Sequence, residues 1–452
     1  MMVFRVERFF NKDVTHAGKH LCRFTIHRIE HSFNKIYTRQ RRDAVSDLDA
    51  NGDAKQAGGI SRTTKSIRPA GPGDTGMKKR FLLAGMMSVM GYVSAHAQGS
   101  VTLYGIIDGG ITYVNNAGGA RAYLFDDGVS YGNRLGLMGT EDLGGGNKAV
   151  FKLENGFRLG TGKLNQGGAL FGRQAYVGLG NDWGTLTFGN QYDFAFDFTA
   201  AFNVSAFGSG YGVHLGDVDR QSGDRLANAV KFVSNSYHGL VVGGLYSFSN
   251  DAGSFHDGSA WSVGATYTHG DFSAGGNYTR LNAPRGLAGL DPYAQIGVTT
   301  MLGRTVATVD PATGAVTDLH ASTPFSIDSQ SIFGIGASYV FGKLTMSADF
   351  SNTIFKGYGQ SSTMRVYEAG GVYQASAPLS LVAGYQYTTF EGHHWHEVAL
   401  GTHYTLSKRT DVYAAVDWMR ASNGVDAVIG YSFTPSASRT QAAARVGMRH
   451  NF

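Results

Sequence analysis

From residue 101 onward, apolar and polar residues alternate one by one instead of recurring at helical spacing. Over 101–113, Val101, Leu103, Ile107, Ile111 and Tyr113 share one phase, and Thr102, Tyr104, Asp108 and Thr112 share the other. Successive strand side chains point to opposite faces, so one face is apolar and the other polar. Over 147–159 the contrast sharpens: Ala149, Phe151, Leu153, Phe157 and Leu159 oppose Lys148, Lys152, Glu154 and Arg158. A charged face of that length is costly to bury in a dry core and belongs beside water. The pattern predicts sixteen strands, near 101–114, 131–140, 147–159, 170–180, 183–191, 228–235, 239–248, 259–269, 271–281, 331–341, 343–355, 364–375, 379–390, 394–406, 409–421 and 440–452. Tight connections fall at Asn181-Asp182, Gly270, Gly342 and Ser407-Lys408. Long ones occupy about 115–130, 192–227, 282–330 and 422–438.

An even strand number, strands of about ten residues, one apolar face and loops long on one side only are the marks of an all-β, sixteen-stranded antiparallel transmembrane barrel. A bilayer offers no hydrogen-bond partners, so spanning strands must close into a ring without edges. A soluble sandwich or propeller needs neither a polar inner face nor loops of two sizes. The last strand fits as well: Ala442, Ala444, Val446, Met448 and Phe452 share the outward phase, and Arg445 and Arg449 share the inward one.

Composition changes the picture in one respect. The net charge of +5 suggests a basic protein, yet residues 1–76 hold 14 Lys+Arg against 8 Asp+Glu, and Lys78, Lys79 and Arg80 follow. The body from 99 to 452 carries 22 basic and 26 acidic residues, so no nucleic-acid partner is implied. With Cys22 in the leader, the body has no thiol, which excludes a disulfide scaffold. Residues 77–97 open with Met-Lys-Lys-Arg, continue through a 13-residue apolar run at 81–93 and end at Ala95-His-Ala97. This is the order of a secretory signal peptide cleaved after Ala97, and the run is too short to span a bilayer. A signal peptide acts at an amino terminus, so translation is expected to start at Met77. Residues 1–76 are then an untranslated or disordered extension, and 98–452 form the barrel.

The stretches Val101-Thr-Leu-Tyr-Gly105, Arg134-Leu-Gly-Leu-Met-Gly-Thr-Glu-Asp-Leu-Gly144, Phe171-Gly-Arg-Gln-Ala-Tyr-Val-Gly-Leu179 and Val446-Gly-Met-Arg-His-Asn-Phe452 resemble Gram-negative general porins of the β-proteobacterial type. The resemblance spans 99–452. It implies a homotrimer in outer-membrane lipid, passing ions and small hydrophilic solutes, with the third surface loop folded into each lumen. It further implies a basic wall facing an acidic loop at the narrowest point. By position the wall residues are Arg134, Lys152, Arg173 and Lys231, and the loop residues are Asp193 and Asp197. Where the family has Gly-Arg-Gln, this chain has Gly189-Asn190-Gln191, one positive charge fewer. Arg173 shares a phase with Ala175, Val177 and Leu179, so the resemblance, not the alternation, turns it inward.

A passive pore needs no catalytic group, cofactor or metal. His393, His394, His396 and Glu397 are ligand types at close spacing, but they lie at an expected surface turn. Gly334-Ile-Gly336 begins a strand and is not a dinucleotide loop. Tyr113, Trp183, Trp395 and Trp418 fall near strand ends, as interfacial girdle residues do. An enzyme on the barrel rim would need a converging nucleophile and base, and no spacing demands one. A substrate-specific channel or an adhesin using 282–330 remains the alternative.

Overall fold

A computed structural model describes residues 99–284, 290–431 and 433–452. The expected signal peptide and the segment before it lie outside the described residues. One sheet contains strands β1 (Ser100–Ala117), β2 (Ala120–Asp127), β3 (Arg134–Gly144), β4 (Asn147–Gly156), β5 (Gln174–Gly180), β6 (Gly184–Tyr192), β7 (Arg225–Ser234), β8 (Leu240–Ser247), β9 (Ala260–His269) and β10 (Phe272–Asn282). Two small hairpins, β11 (Thr300–Met301) with β12 (Arg304–Thr305) and β13 (Ala307–Val309) with β14 (Val316–Asp318), stand apart in a long loop. The sheet resumes with β15 (Ser329–Phe341), β16 (Leu344–Gly357), β17 (Gln360–Gln374), β18 (Leu379–Phe390), β19 (His393–Thr405), β20 (Thr410–Ala421) and β21 (Thr440–Asn451).

Every pairing in the ring is antiparallel, and β21 closes on β1 with Val446 opposite Ile111. Closure is completed by Phe452, whose N–H and C=O exchange bonds of 3.1 and 3.0 Å with Gly105. β3 pairs with one end of β1 and β2 with the other, on the same edge, so the two share one place in the ring. The result is a closed sixteen-stranded barrel. It is polar inside and apolar outside: Val101, Leu103 and Ile111 are exposed, whereas Asp108, Thr112, Glu154, Arg445 and Arg449 are buried.

The structure corrects two expectations. Residues 115–130 are not a long connection, because the chain turns at Gly118-Gly119 and returns at once as β2. Over 122–125 both faces of β2 are apolar: Tyr123 and Phe125 point outward, and Ala122 and Leu124 pack against loops inside the mouth. With no polar face, the alternation signal vanishes. Trp395 is not in a girdle, whereas Trp183 and Trp418 are exposed. It is buried in the mouth with Phe433, Ile429 and Phe355, and its Nε1 donates to Asp426 O at 3.1 Å. There the loop residues 290–328, 422–431 and 433–439 roof the lumen, so apolar side chains face inward.

The loop 193–224, third on the long-loop side, folds inside the barrel. A π-helical turn, Ala195–Thr199, begins it, and a short helix, Val204–Ser209, follows. Asn203 caps that helix by accepting from Ala206 N at 2.9 Å, and Gly210 ends it at φ 80°. Phe194 and Phe198 seat the loop on β7 to β10 through Ala229, Leu245 and Ala260. The wall is recessed where the loop rests. A Cβ at Gly401 would stand 2.1 Å from Gly208 O, and one at Gly384 2.2 Å from Ser205 Oγ. Part of the chain's high glycine content thus makes room for the loop.

A single methyl tests this seat. Gly401→Ala should cost about 1–3 kcal/mol of thermal or urea stability by overpacking. Gly244→Ala, on the outward phase of β8 with Leu240 and Val242 and with nothing within 4 Å of the new Cβ, should stay near wild type. Equal losses in the two variants would mean that the loop does not press on Gly401.

Candidate functional site

On the wall formed by β3 to β7, four basic side chains gather around one carboxylate. Glu154 is wholly buried and accepts from Tyr104 Oη at 2.7 Å and from Arg173 Nε at 2.9 Å, with Lys152 Nζ at 3.5 Å. Arg173 also reaches Tyr192 Oη at 2.7 Å, and Arg225 reaches the same oxygen at 3.3 Å. Arg134 lies beside them, its Nε donating to Gly132 O at 2.9 Å. Arg173 points inward against its apparent phase because it precedes β5. Its N–H bonds Glu154 O at 3.2 Å, and regular alternation starts only at Gln174.

The loop brings its own charges. Asp193 is buried and accepts from Arg220 Nε at 2.5 Å and from Ala195 N at 3.1 Å. Burial pushes its carboxyl up, against the pull of Arg220. Asp197 pairs with Lys231, whose Nζ also donates to Tyr192 O at 2.8 Å. Burial raises Asp217 well above the carboxylate range, and Asp224 and Asp219 raise it further.

A cavity of about 1640 Å³ runs between wall and loop. Arg134, Arg158, Arg173 and Arg225 line it from the barrel, and Asp217, Arg220 and Asp224 from the loop. Lys152, Lys231 and Asp193 are buried behind it in the contacts just described, and Asp197, which is exposed, does not line this cavity. Asn190 lines it at the place of the missing arginine and donates to Gly172 O at 3.1 Å.

Sequence reasoning missed the opposite side. On β16 to β19, Asp349 faces Glu368, Glu368 faces Gln386, and Gln386 faces Glu397, one residue per strand in a continuous row. Asp417 on β20 lies diagonally next to Glu397. The loop covers this row: Ser205 N donates to Glu368 at 2.6 Å, and Gln386 Nε2 donates to Gly212 O at 2.6 Å. His214 lies between Asp219, 2.5 Å from Nδ1, and Glu368, 3.0 Å from Nε2. Burial opposes its charge, but Asp219 and Glu368 outweigh it and hold the imidazole well above its ordinary value. Each acid sits in the polar phase of its strand, which was the available signal. His393, His394 and His396 are not joined by Glu397, which turns into the lumen while His396 accepts or donates at Tyr385 Oη, 2.7 Å away.

Comparison with known proteins agrees with this architecture. The model of the Gram-negative porin family matches residues 87–424. An outer membrane porin protein of Bordetella pertussis is 31% identical over 434 residues, covering 83% of this chain and all of its own length. Outer membrane porin protein 32 of Delftia acidovorans is 30% identical, again covering 83% of this chain and all of its own length. Among solved structures, an anion-selective porin from Comamonas acidovorans superposes with a TM-score of 0.61 at 23% identity, over 78% of this chain and 100% of its own. OmpT of Vibrio cholerae, in its trimer form, gives 0.56 at 18%, over 78% of this chain and 99% of its own. Those two likenesses concern the fold. With a closed sixteen-stranded ring, an apolar exterior and a charged lumen, the chain belongs to the Gram-negative porin family and is an outer-membrane protein.

Proposed function

We propose that this porin is a passive diffusion channel for ions and small hydrophilic solutes, narrowed by the loop 193–224 across a charged lumen. The observation that carries the reading is the cavity of about 1640 Å³ between loop and wall, lined from the barrel by Arg134, Arg158, Arg173 and Arg225 with Asp126 and Asp127, and from the loop by Asp217 and Asp224 with Arg220. Asp193 and Asp197 then hold the loop, through Arg220 and Lys231, and the negative face is presented by Asp217 and Asp224. Arg134, Arg173 and Arg225 form the positive face, with Lys152 and Lys231 supporting it from behind.

Two unit charges about 8 Å apart in a medium of effective dielectric about 20 interact by roughly 2 kcal/mol. Opposed rows of that strength orient dipolar solutes and sort ions over a screening length of about 8 Å. Export through a signal peptide at 77–97 and assembly as a homotrimer in outer-membrane lipid complete the reading. No catalytic step is part of it.

Planar-bilayer recording with a salt gradient tests the channel. Linear single-channel conductance should appear, and Arg134→Gln with Arg173→Gln should move the reversal potential toward cations by several millivolts. A chain that inserts but does not conduct defeats the pore. A reversal potential untouched by the double substitution removes the two arginines from the ion path. Strong block by one solute at micromolar concentration would instead favour a substrate-specific channel.

A further inference from the structure

We propose that His214 on the folded-in loop, with Glu368 on β17 and Asp349 on β16, forms a divalent transition-metal site, zinc foremost, that fastens the loop to the barrel wall.

One ligand atom from each of the three lies within 4.8 Å of the other two. His214 Nε2 and Glu368 Oε2 are 3.0 Å apart, about the separation of two ligands on one tetrahedral zinc with bonds near 2.0 Å. Asp349 is 4% exposed, and among the described residues neither of its carboxylate oxygens has a partner at good hydrogen-bond geometry, the Gln221 side chain being a polar neighbour. An unpartnered buried carboxylate is costly, and a cation among these groups removes that cost. Imidazole with two carboxylates leaves a fourth position for water, which suits zinc over calcium or magnesium.

The surroundings favour the same occupant. Asp219 binds His214 Nδ1, which fixes the tautomer that presents Nε2 and gives the carboxylate–histidine arrangement found behind metal ligands. Glu397 and Asp417 lie next along the wall, and among the described residues their four carboxylate oxygens have no partner at good hydrogen-bond geometry, Ser209 being the polar neighbour of Asp417. Among the described residues, the ion pairs made by Asp219 and Glu368 run to His214 alone, and Asp349, Glu397 and Asp417 make none. A dipositive ion is the charge this pocket lacks. Gln221 stands beside Asp349 and lines the cavity, which opens a path from the lumen to the site.

The test uses the full-length chain, purified folded in detergent, stripped with a chelator and re-exposed to zinc. Metal content after gel filtration should approach one zinc per chain. His214→Gln and Asp349→Asn should each reduce affinity at least tenfold. Asp219→Asn, a positioning substitution, should reduce it by about 10–100-fold without removing a ligand. Wild-type chain that retains no more zinc than His214→Gln overturns the proposal. If the variants fail to fold, cobalt titration of the wild type decides: the visible absorption of a four-coordinate imidazole–carboxylate site supports it, and the spectrum of aqueous cobalt overturns it. Channel conductance is read separately, so a chain that takes up no zinc on re-exposure yet still conducts sinks the metal site and leaves the proposed function standing.

Discussion

Replacing residues 195–221 by a short Gly/Ser link should raise single-channel conductance about two- to fivefold and turn the ion preference toward cations. Sixteen strands enclose an aqueous passage, and the inserted loop is what narrows it here. Removing it widens the lumen. It also uncovers Asp349, Glu368, Glu397 and Asp417, which the loop now shields from water. Once hydrated, this row presents its carboxylates to the lumen on one wall, while Arg134, Arg173 and Arg225 stay opposite. Asp197, His214, Asp217, Asp219 and Arg220 leave with the loop, so the uncovered row of four carboxylates sets the change in sign. Salt-gradient recording and polymer-exclusion sizing measure both effects. Unchanged conductance in a chain that still folds would mean that the loop does not narrow the path.

The second large effect concerns Glu154. Glu154→Ala should destabilise the barrel by about 3–5 kcal/mol, because it leaves Arg173 and Lys152 buried beside Arg134 with their shared carboxylate gone. Tyr104 Oη would lose its acceptor as well. Glu154→Gln keeps the shape and one acceptor oxygen and should lose less. The same substitution adds a net positive charge near the lumen, so any folded Glu154→Gln channels should shift toward anions. Urea unfolding in detergent micelles and reversal potentials check the two halves. A loss within about 1 kcal/mol for Glu154→Ala would show that lumen water already screens the arginines.

Much of the barrel is legible along the chain because a bilayer imposes a strict rule. Lipid-facing positions cannot carry charge, so each strand declares its two faces locally. Val101 and Leu103 against Asp108, and Val446 and Met448 against Arg445 and Arg449, read correctly without any knowledge of partners. The rule fails where its cause is absent. Inside the roofed mouth the wall packs against apolar loop side chains, so the middle of β2 loses its alternation and Trp395 mimics an interfacial residue. Arg173 fails for another reason: it stands one residue outside regular strand geometry.

The site was less legible. Arg134, Lys152, Arg173 and Lys231 were found as basic residues, but their division into a lining layer and a supporting layer depends on side-chain packing. Asp193 opens the loop in sequence, yet its partner Arg220 lies 27 residues on, and only the folded loop joins them. His214 falls in a segment with no period at all.

What the sequence alone determined is the inside and the outside of the wall: strand count, facing and the long loops follow from alternation, since each residue meets either lipid or water whatever its neighbours are. Which charges meet was decided by the tertiary structure. Asp349 and Glu368 become opposite only through register, and His214 reaches Glu368 across 154 residues only because the loop turns inward. Facing is a property of one residue and its solvent. A charged cluster is a property of several chain segments brought together, and it is fixed only when the ring has closed and the loop has settled against it.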